Sequence, residues 1–218
     1  MKEKFMNGLL TLVVVLMMQL LWWFGIHGPN VMGAVTSPFM TKMMAQNLAL
    51  YQAGEGVTAS GVFYTAGSQY SIISGSFGSG WFSPTGSGIT MELINAVMLF
   101  SKRDDFKAIA KLAIPCGIFN INEPIIFGIP MVMNALFAVP FFLAPIACVC
   151  CGYLVQSLGL CPLFVIDVPW TTPVGLFGFL ASSGNIMGAI WQAVIILGVS
   201  TLIYTPFVIA SNRQTEEA

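Results

Sequence analysis

Residues 119–130 read FNINEPIIFGIP. This stretch places one carboxylate, Glu123, in a long uncharged sequence: the eleven residues before it and the forty-three after it carry no charged side chain. A helix needs about 20 apolar residues to cross the hydrocarbon core of a bilayer, so the surrounding sequence is long enough to cross it. Pro124, Gly128 and Pro130 break that sequence into short pieces. Because discontinuous segments of this kind point to the binding sites of membrane transporters, we interpret the stretch as a broken membrane helix.

The whole chain has the composition of a membrane protein. Its 218 residues are 56% hydrophobic and 8% charged, whereas soluble domains carry roughly 25% charged residues. Further uncharged runs cover residues 5–41, 56–91 and 168–212. We therefore predict an all-α integral membrane protein, a polytopic helical bundle with broken or re-entrant helices and a short cytoplasmic amphipathic helix. Residues 1–218 are expected to form a single membrane domain.

Glycine and proline divide the chain into predicted segments. The first span begins at Leu9 and ends near Ile26, because Gly28 and Pro29 interrupt the helix beside His27. Irregular backbone at membrane depth is tolerated only where it is buried in protein or lines a watery cavity, so the broken segments are expected around such a cavity. The other predicted segments are an extramembrane or interfacial turn at Lys42–Gly56, a glycine-rich stretch at Val57–Gly88, a short helix at Ile89–Phe100, a span within Met131–Leu160, a broken stretch at Val168–Pro173 and a last span at Met187–Ile209.

Residues 102–111 contain the basic cluster of the chain, formed by Lys102, Arg103, Lys107 and Lys111. Short loops rich in Lys and Arg stay on the cytoplasmic side of a membrane, which predicts a cytoplasmic position for this segment. The apolar residues between positions 104 and 114 recur with helical spacing. We predict that residues 102–114 form a cytoplasmic amphipathic connector lying in the membrane interface, ended by Pro115; an ordinary connecting helix is the alternative.

Several classes of function are excluded. A net charge of −1 leaves no basic surface for nucleic acid. The five cysteines are odd in number and lack the paired spacing of a zinc site, so we interpret them as small packing residues. With a single histidine in the chain, no metal site and no cofactor are expected.

Glu123 is the strongest candidate for a functional residue. An ionised carboxylate facing lipid costs about 2.5–3.5 kcal/mol, so Glu123 is expected to face a cavity, to be paired or to be protonated. A structural carboxylate satisfied by backbone amides at a short helix N-terminus is the alternative. The two asparagines beside it favour a ligand site.

The other candidates are one imidazole and two indoles. By itself, His27 is typical of a satisfied residue near a helix end, and Trp22 of an aromatic belt at the membrane interface. Trp170 lies between two prolines in a broken segment, where a belt explains it less well. Asp167 and Glu92 are expected at the interface rather than in catalysis. Carboxylate, imidazole, amide, hydroxyl and indole groups together fit a neutral polyhydroxylated ligand.

Four motifs, taken in order along the chain, carry a family resemblance. The chain resembles the IIC membrane component of the phosphoenolpyruvate-dependent sugar phosphotransferase system, lactose/cellobiose/diacetylchitobiose family. The resemblance covers nearly the whole chain. The matching stretches are Trp23–Gly28, Gly86–Thr90, Phe119–Pro130 and Val168–Pro173.

The resemblance implies a role for each matching residue. His27 and Glu123 correspond to the sugar-binding pair that approaches the hydroxyl to be phosphorylated, and they are the catalytic candidates. Asn122 corresponds to a neighbouring amide that contacts the sugar. The loop from Gly86 to Thr90 corresponds to a re-entrant loop whose backbone lines the site. The substrate-binding residues so implied are Trp22, His27, Gly86, Ser87, Gly88, Thr90, Asn122, Glu123 and Trp170.

The resemblance also implies partners. In such systems a phosphocysteine on a cytoplasmic IIB protein or domain, itself served by a IIA component, donates the phosphate to a disaccharide that the IIC chain presents. Full-length members are expected as homodimers in the bacterial cell membrane. They are about twice as long as this chain, which therefore corresponds to the C-terminal, substrate-binding portion.

Two other functions are compatible with the same residues. In an ion-coupled secondary transporter, Glu123 and His27 would relay protons. A portion of a transporter could also be a non-transporting remnant or interaction subunit that binds no sugar.

Overall fold

The computed structural model describes residues 2–213, with side chains described from Gly8 onward. Within this range helices are the dominant secondary structure, which confirms the predicted all-α class. The strands described there form one hairpin of two-residue strands, β1 (Val57–Thr58) and β2 (Gly61–Val62). The helices are α1 (Lys2–Trp23), α2 (Gly28–Gln52), α3 (Gly75–Trp81), α4 (Met91–Phe100), α5 (Asp104–Ile118), α6 (Glu123–Gly128), α7 (Ala135–Ser157), α8 (Leu176–Ala181), α9 (Ile186–Ala193), a π-helical turn (Val194–Val199) and α10 (Ser200–Arg213).

Among the described residues, two continuous helices are long and apolar enough to cross a membrane. They cover Ala135–Ser157 and Ile186–Arg213. The second joins α9, the π-helical turn and α10 without a break. Both lie where spans are predicted from the sequence. Gly8–Trp23 and Met91–Phe100 are shorter apolar helices.

The prediction of a turn over Lys42–Gly56 is wrong for most of that segment. Helix α2 continues to Gln52, and only residues 53–56 turn. Residues 42–52 contain neither Gly nor Pro and are rich in strong helix formers. Asn47 is buried and exchanges two hydrogen bonds of 2.8 and 2.9 Å with the backbone of Ser71, which fixes the helix against the following loop.

Helix α5 also differs from the prediction, because Pro115 does not end it. The helix continues to Ile118 and stops where Asn120 adopts a left-handed φ of +66°. The proline leaves the carbonyl of the exposed Lys111 without its helical donor, a small loss one turn from the helix end. Leu112, expected on the apolar face, is 79% exposed.

The buried face of α5 packs against protein. Phe106, Ala110 and Ala113 belong to a cluster that includes the apolar residues of α4 and Tyr204 of α10. Helix α4 therefore lies between α5 and α10, and α7 packs against α1 and α10. This arrangement holds the loop 82–90, which immediately precedes α4, in the interior of the molecule.

A second cluster fixes α3 beside the segment that precedes α8. Trp81 stacks on Phe164 with ring centroids 5.5 Å apart and planes 6° apart. A Cβ at Gly152 of α7 would overlap the Trp81 ring, so that glycine allows α7 to approach α3 closely. Residues 75–90 are thus held on both sides by rigid elements. The breaks predicted at residues 119–130 and 168–173 are present: turns flank the short helix α6, and residues 168–173 contain no helix.

Candidate functional site

A cavity of about 590 Å³ opens between α2, α3 and three broken segments around residues 82–87, 120–123 and 167–170. This volume lies within the range of small-molecule sites. Six of the residues predicted from the sequence line it together: His27, Gly86, Ser87, Asn122, Glu123 and Trp170. Segments up to 143 residues apart in the sequence therefore meet at one site, counting from His27 to Trp170.

One face of α2 forms a wall of the cavity. Successive turns contribute mostly small or polar residues together with Met40, and no charged side chain of α2 lines the cavity. Their spacing of three and four residues is that of one helix face. The lining residues of α2 are Pro29, Asn30, Gly33, Thr36, Ser37, Met40 and Thr41.

His27 is the N-cap residue of α2. Its Nδ1 accepts a hydrogen bond from the backbone N–H of Asn30 at 3.2 Å, which satisfies one of the unpaired donors of the first helical turn. A ring nitrogen that accepts a hydrogen bond carries no proton, so the neutral imidazole carries its proton on Nε2. His27 is exposed and lines the cavity, so its remaining ring nitrogen can serve as a donor to a ligand.

Trp22 lies behind His27 and does not line the cavity. The two ring centroids are 4.9 Å apart, the planes are tilted by 52°, and Trp22 is 3% exposed. A sugar could reach this ring only after His27 moved. The indole therefore supports the imidazole from behind and fixes its position at the cavity wall.

Glu123 is the first residue of α6 and is half-buried at the cavity wall. Its carboxylate makes no hydrogen bond or ion pair with the part of the chain that the structure describes. The alternative of a structural carboxylate satisfied by backbone amides is therefore not what the structure shows. The group is free to accept a proton or a hydrogen bond from a ligand.

Asn122 connects Glu123 to the loop 82–90. Its Nδ2 donates to the backbone oxygen of Ser87 at 2.8 Å. Gly86 has a φ of +89°, and a Cβ there would overlap the Asn122 side chain. Glycine at position 86 is needed both for its backbone conformation and for this close approach.

Asn120 is a central residue of the site that sequence reasoning missed. Its Oδ1 accepts the backbone N–H of Thr85 at 2.7 Å, and its Nδ2 donates to the backbone oxygens of Trp170 and Thr172. One buried amide thus ties together all three broken segments. Asparagine tolerates the left-handed backbone of this position, but an isolated Asn in a sequence does not reveal which distant groups it binds.

Gly88 and Thr90 lie beneath the cavity rather than in its wall. The backbone oxygen of Gly88 accepts the hydroxyl of the buried Tyr204 at 2.6 Å. Thr90 is fully buried and its hydroxyl contacts the Thr85 backbone oxygen at 3.4 Å. These two residues hold the loop from below.

The prediction that Glu92 lies at the membrane interface is wrong. The side chain is fully buried, because α4 is enclosed by α5 and α10. Its Oε2 accepts the Thr85 hydroxyl at 2.8 Å, while Oε1 has no protein partner among the described residues. Glu92 therefore supports the loop at Thr85, a residue with a left-handed φ of +61°.

Trp170 and Asp167 belong to the same broken segment and both line the cavity. Trp170 is 60% exposed, and its ring forms no aromatic pair with the described residues. Asp167, expected at the membrane interface, is exposed and lines the cavity. The described lining thus has two carboxylates, one imidazole and no Lys or Arg. Within the described residues no group of three His, Cys, Asp or Glu side chains could hold a metal ion.

Comparison with known proteins gives a consistent result. A family model described as "Phosphotransferase system, EIIC" matches residues 4–145. The chain is 37% identical to the cellobiose-specific EIIC component of Lactococcus lactis, over 94% of this chain and 43% of that protein. It is 35% identical to the oligo-beta-mannoside-specific EIIC component of Bacillus subtilis, over 93% of this chain and 43% of that protein.

The fold has a counterpart among solved structures. The crystal structure of the transporter ChbC, the IIC component from the N,N'-diacetylchitobiose-specific phosphotransferase system, matches with a TM-score of 0.84 and 34% identity. The match covers 95% of this chain and 46% of that chain. The present chain therefore spans less than half the length of the relatives it resembles.

Proposed function

The chain belongs to the EIIC family of the phosphotransferase system, and from this membership we propose that its cavity binds a disaccharide of the cellobiose class and presents one hydroxyl for phosphorylation during uptake. The observation that carries this proposal is the meeting of His27, Asn122 and Glu123 at one cavity with Trp170. The family resemblance assigns sugar contacts to these residues.

The proposed reaction transfers a phosphoryl group from a phosphocysteine of a cytoplasmic IIB partner, which a IIA component recharges. The sugar hydroxyl oxygen attacks phosphorus, the oxygen–phosphorus bond forms, the sulfur–phosphorus bond breaks and the cysteine leaves as a thiolate. Glu123 accepts the hydroxyl proton, because its carboxylate lines the cavity together with His27 and receives no hydrogen bond from the described residues. A positioned base contributes typically 10²–10⁴-fold to such a step.

His27 has a different part in this mechanism. Its Nδ1 is occupied by the helix cap, so its Nε2–H donates to the sugar and cannot take the hydroxyl proton. The imidazole would hold the hydroxyl oxygen in line with the sulfur–phosphorus bond while Glu123 removes the proton. Positioning of this kind accounts for much of the barrier reduction in phosphoryl transfer.

The composition of the cavity wall supports a neutral sugar. An exposed indole at Trp170 offers a flat face to the apolar side of a pyranose ring, and the amide and hydroxyl groups suit sugar hydroxyls. No cation lines the described cavity to compensate an anionic ligand. The names of the relatives, which specify cellobiose, oligo-beta-mannoside and N,N'-diacetylchitobiose, fall in this substrate class.

The membrane arrangement belongs to the same proposal. We place the protein in the bacterial cell membrane as a multi-pass protein, with residues 102–114 on the cytoplasmic side where the IIB partner approaches. The functional assembly is proposed to be a homodimer. The basic side chains of this segment and the two apolar helices support this orientation.

The test is sugar phosphorylation by vesicles that contain the chain. Inverted vesicles are supplied with cellobiose, phosphoenolpyruvate, the general proteins of the phosphotransferase system and purified IIA and IIB components. They are expected to form a sugar phosphate, and omission of phosphoenolpyruvate should abolish it. Uptake that persists without phosphoenolpyruvate but collapses with a proton uncoupler would instead indicate a secondary transporter. Failure of the purified chain to bind any sugar would indicate a non-transporting subunit.

A further inference from the structure

The cavity is elongated along α2. His27 and Met40 both line it and are 13 residues apart, which corresponds to about 20 Å of helix at 1.5 Å per residue. Helix α6 lies near the His27 end, because the centroid of the Trp22 ring is 4.9 Å from that of His27 and 6.3 Å from that of Phe127 in α6. Glu123, the first residue of α6, and Asn122 before it therefore lie toward this end of the cavity. The remainder of the length extends well beyond the space that a single sugar ring next to Glu123 would fill.

Asp167 lies toward the other end of the cavity. Its neighbour Ile166 accepts a hydrogen bond through its backbone oxygen from the Ser76 hydroxyl at 2.7 Å. The position of a Cβ at Gly75 is 3.7 Å from the backbone oxygen of Met40. Residues 75 and 76 thus place the start of the 166–170 segment beside the Met40 end of α2.

Trp170 extends the same segment toward Glu123. Its backbone oxygen accepts a hydrogen bond from Asn120, which belongs to the break that precedes Glu123. The segment therefore runs along the cavity, with the carboxylate of Asp167 at one end and the indole of Trp170 closer to the other. Asp167 makes no hydrogen bond or ion pair with the described part of the chain, so its oxygens are free for a ligand.

We propose that Asp167 is a specificity-determining residue that accepts hydrogen bonds from the second sugar ring, the one that is not phosphorylated. An ionised carboxylate is an acceptor only, so it selects a ring that presents hydroxyl donors at this position. This inference rests on the proposed function, because it needs the first ring at Glu123. It assigns to Asp167 the preference of the site for a disaccharide over a single sugar with an apolar aglycone.

The test compares two ligands on the purified full chain. Cellobiose presents hydroxyls on both rings, whereas phenyl β-glucoside has a phenyl group without hydroxyls in place of one ring. Loss of a hydrogen bond to a charged group corresponds to roughly a tenfold or larger loss of affinity. Asp167→Ala is therefore expected to weaken cellobiose binding at least about tenfold and to leave phenyl β-glucoside binding unchanged, with Asp167→Asn in between.

Asp104→Asn serves as the matched control, since Asp104 is an exposed aspartate on α5 outside the cavity. It should leave both affinities unchanged. The role of Asp167 is overturned if Asp167→Ala weakens the binding of both ligands equally. It is also overturned if neither affinity changes while the wild type binds cellobiose. Both outcomes leave the proposed function standing. If the wild-type chain binds neither ligand, the proposed function fails and the inference fails with it.

Discussion

The backbone N–H of Thr85 donates to Oδ1 of Asn120 at 2.7 Å, and this bond joins two segments 35 residues apart in the sequence. Both residues have left-handed backbones, with φ of +61° and +66°. The same Asn120 side chain also donates to the backbone oxygens of Trp170 and Thr172. The shape of the cavity therefore depends on one amide that is itself outside the reaction.

Two replacements of Asn120 distinguish the contribution of its side-chain hydrogen bonds from that of its left-handed backbone. Asn120→Gly keeps the left-handed φ accessible but removes all three bonds, and we expect thermal unfolding to show a loss of about 1–3 kcal/mol together with weaker cellobiose binding. Asn120→Ala adds the cost of the left-handed backbone and should be less stable still. A glycine variant with wild-type stability and affinity would show that only the backbone conformation matters.

Glu123→Gln should separate binding from phosphorylation. Glutamine keeps the size and one acceptor oxygen of the side chain but is not a base, so we expect phosphorylation to fall by about 100-fold or more with cellobiose affinity changed only a few-fold. The measurement pairs sugar phosphate formation with tryptophan fluorescence titration. Phosphorylation at the wild-type rate would remove Glu123 from the role of base.

His27 has two functions that two variants can distinguish. His27→Asn retains a side-chain oxygen that is a good helix cap but loses the reach of Nε2, so stability should stay near wild type while sugar affinity and phosphorylation fall. His27→Ala loses the cap as well, and unfolding should show an additional loss of about 0.5–2 kcal/mol. Equal stability of the two variants would argue against the capping role.

Gly86 and Gly67 form a matched pair with φ of +89° and +92°. Alanine at either position carries the strain of a left-handed backbone, roughly 1–2 kcal/mol. Only at Gly86 does the new Cβ also overlap Asn122, since nothing lies within 4 Å of the Gly67 position. We therefore expect Gly86→Ala to abolish sugar binding and Gly67→Ala to retain it. Retained binding in both variants would contradict the close approach of Gly86 to Asn122.

Tyr204→Phe tests the support beneath the loop. The variant leaves the buried backbone oxygen of Gly88 without its 2.6 Å partner, which should destabilise the protein by about 1–3 kcal/mol. Tyr153→Phe is the control, because the Tyr153 hydroxyl makes no hydrogen bond with the described residues. Thermal unfolding in detergent distinguishes the two, and an equal effect would contradict the assigned role of Tyr204.

Six residues of the cavity lining could be predicted from the sequence, whereas the lining residues of α2 and Asp167 could not. A carboxylate isolated in uncharged sequence and flanked by prolines, as at Glu123, has few structural explanations, and a family resemblance pairs it with His27. The long spans were also predictable, since apolar length is a strong signal. The sequence does not predict that Trp22, Gly88 and Thr90 lie behind or beneath the cavity wall. A motif identifies residues near a site without showing which of them face the ligand.

Other features depend on contacts between distant segments. Glu92 looks interfacial in the sequence and is buried because α5 and α10 enclose its helix. Asn120 could not be assigned, since its partners are 35 to 52 residues away. The continuation of α2 to Gln52 agrees with the helix propensity of residues 42–52, which contain neither Gly nor Pro.

The broken segments that form the cavity wall are far apart in the sequence, so the ribosome synthesises them at different times. Asn120 leaves the ribosome some 50 residues before Trp170 and Thr172, the residues whose carbonyls it binds. At translation rates of about 5–20 residues per second, its buried amide waits for seconds without those partners, and the carbonyls arrive only after the whole of α7 has been made. The cavity is therefore completed late in synthesis. A translational stall before residue 172 would leave a chain in which Asn120 has not yet bound the last segment of the cavity wall.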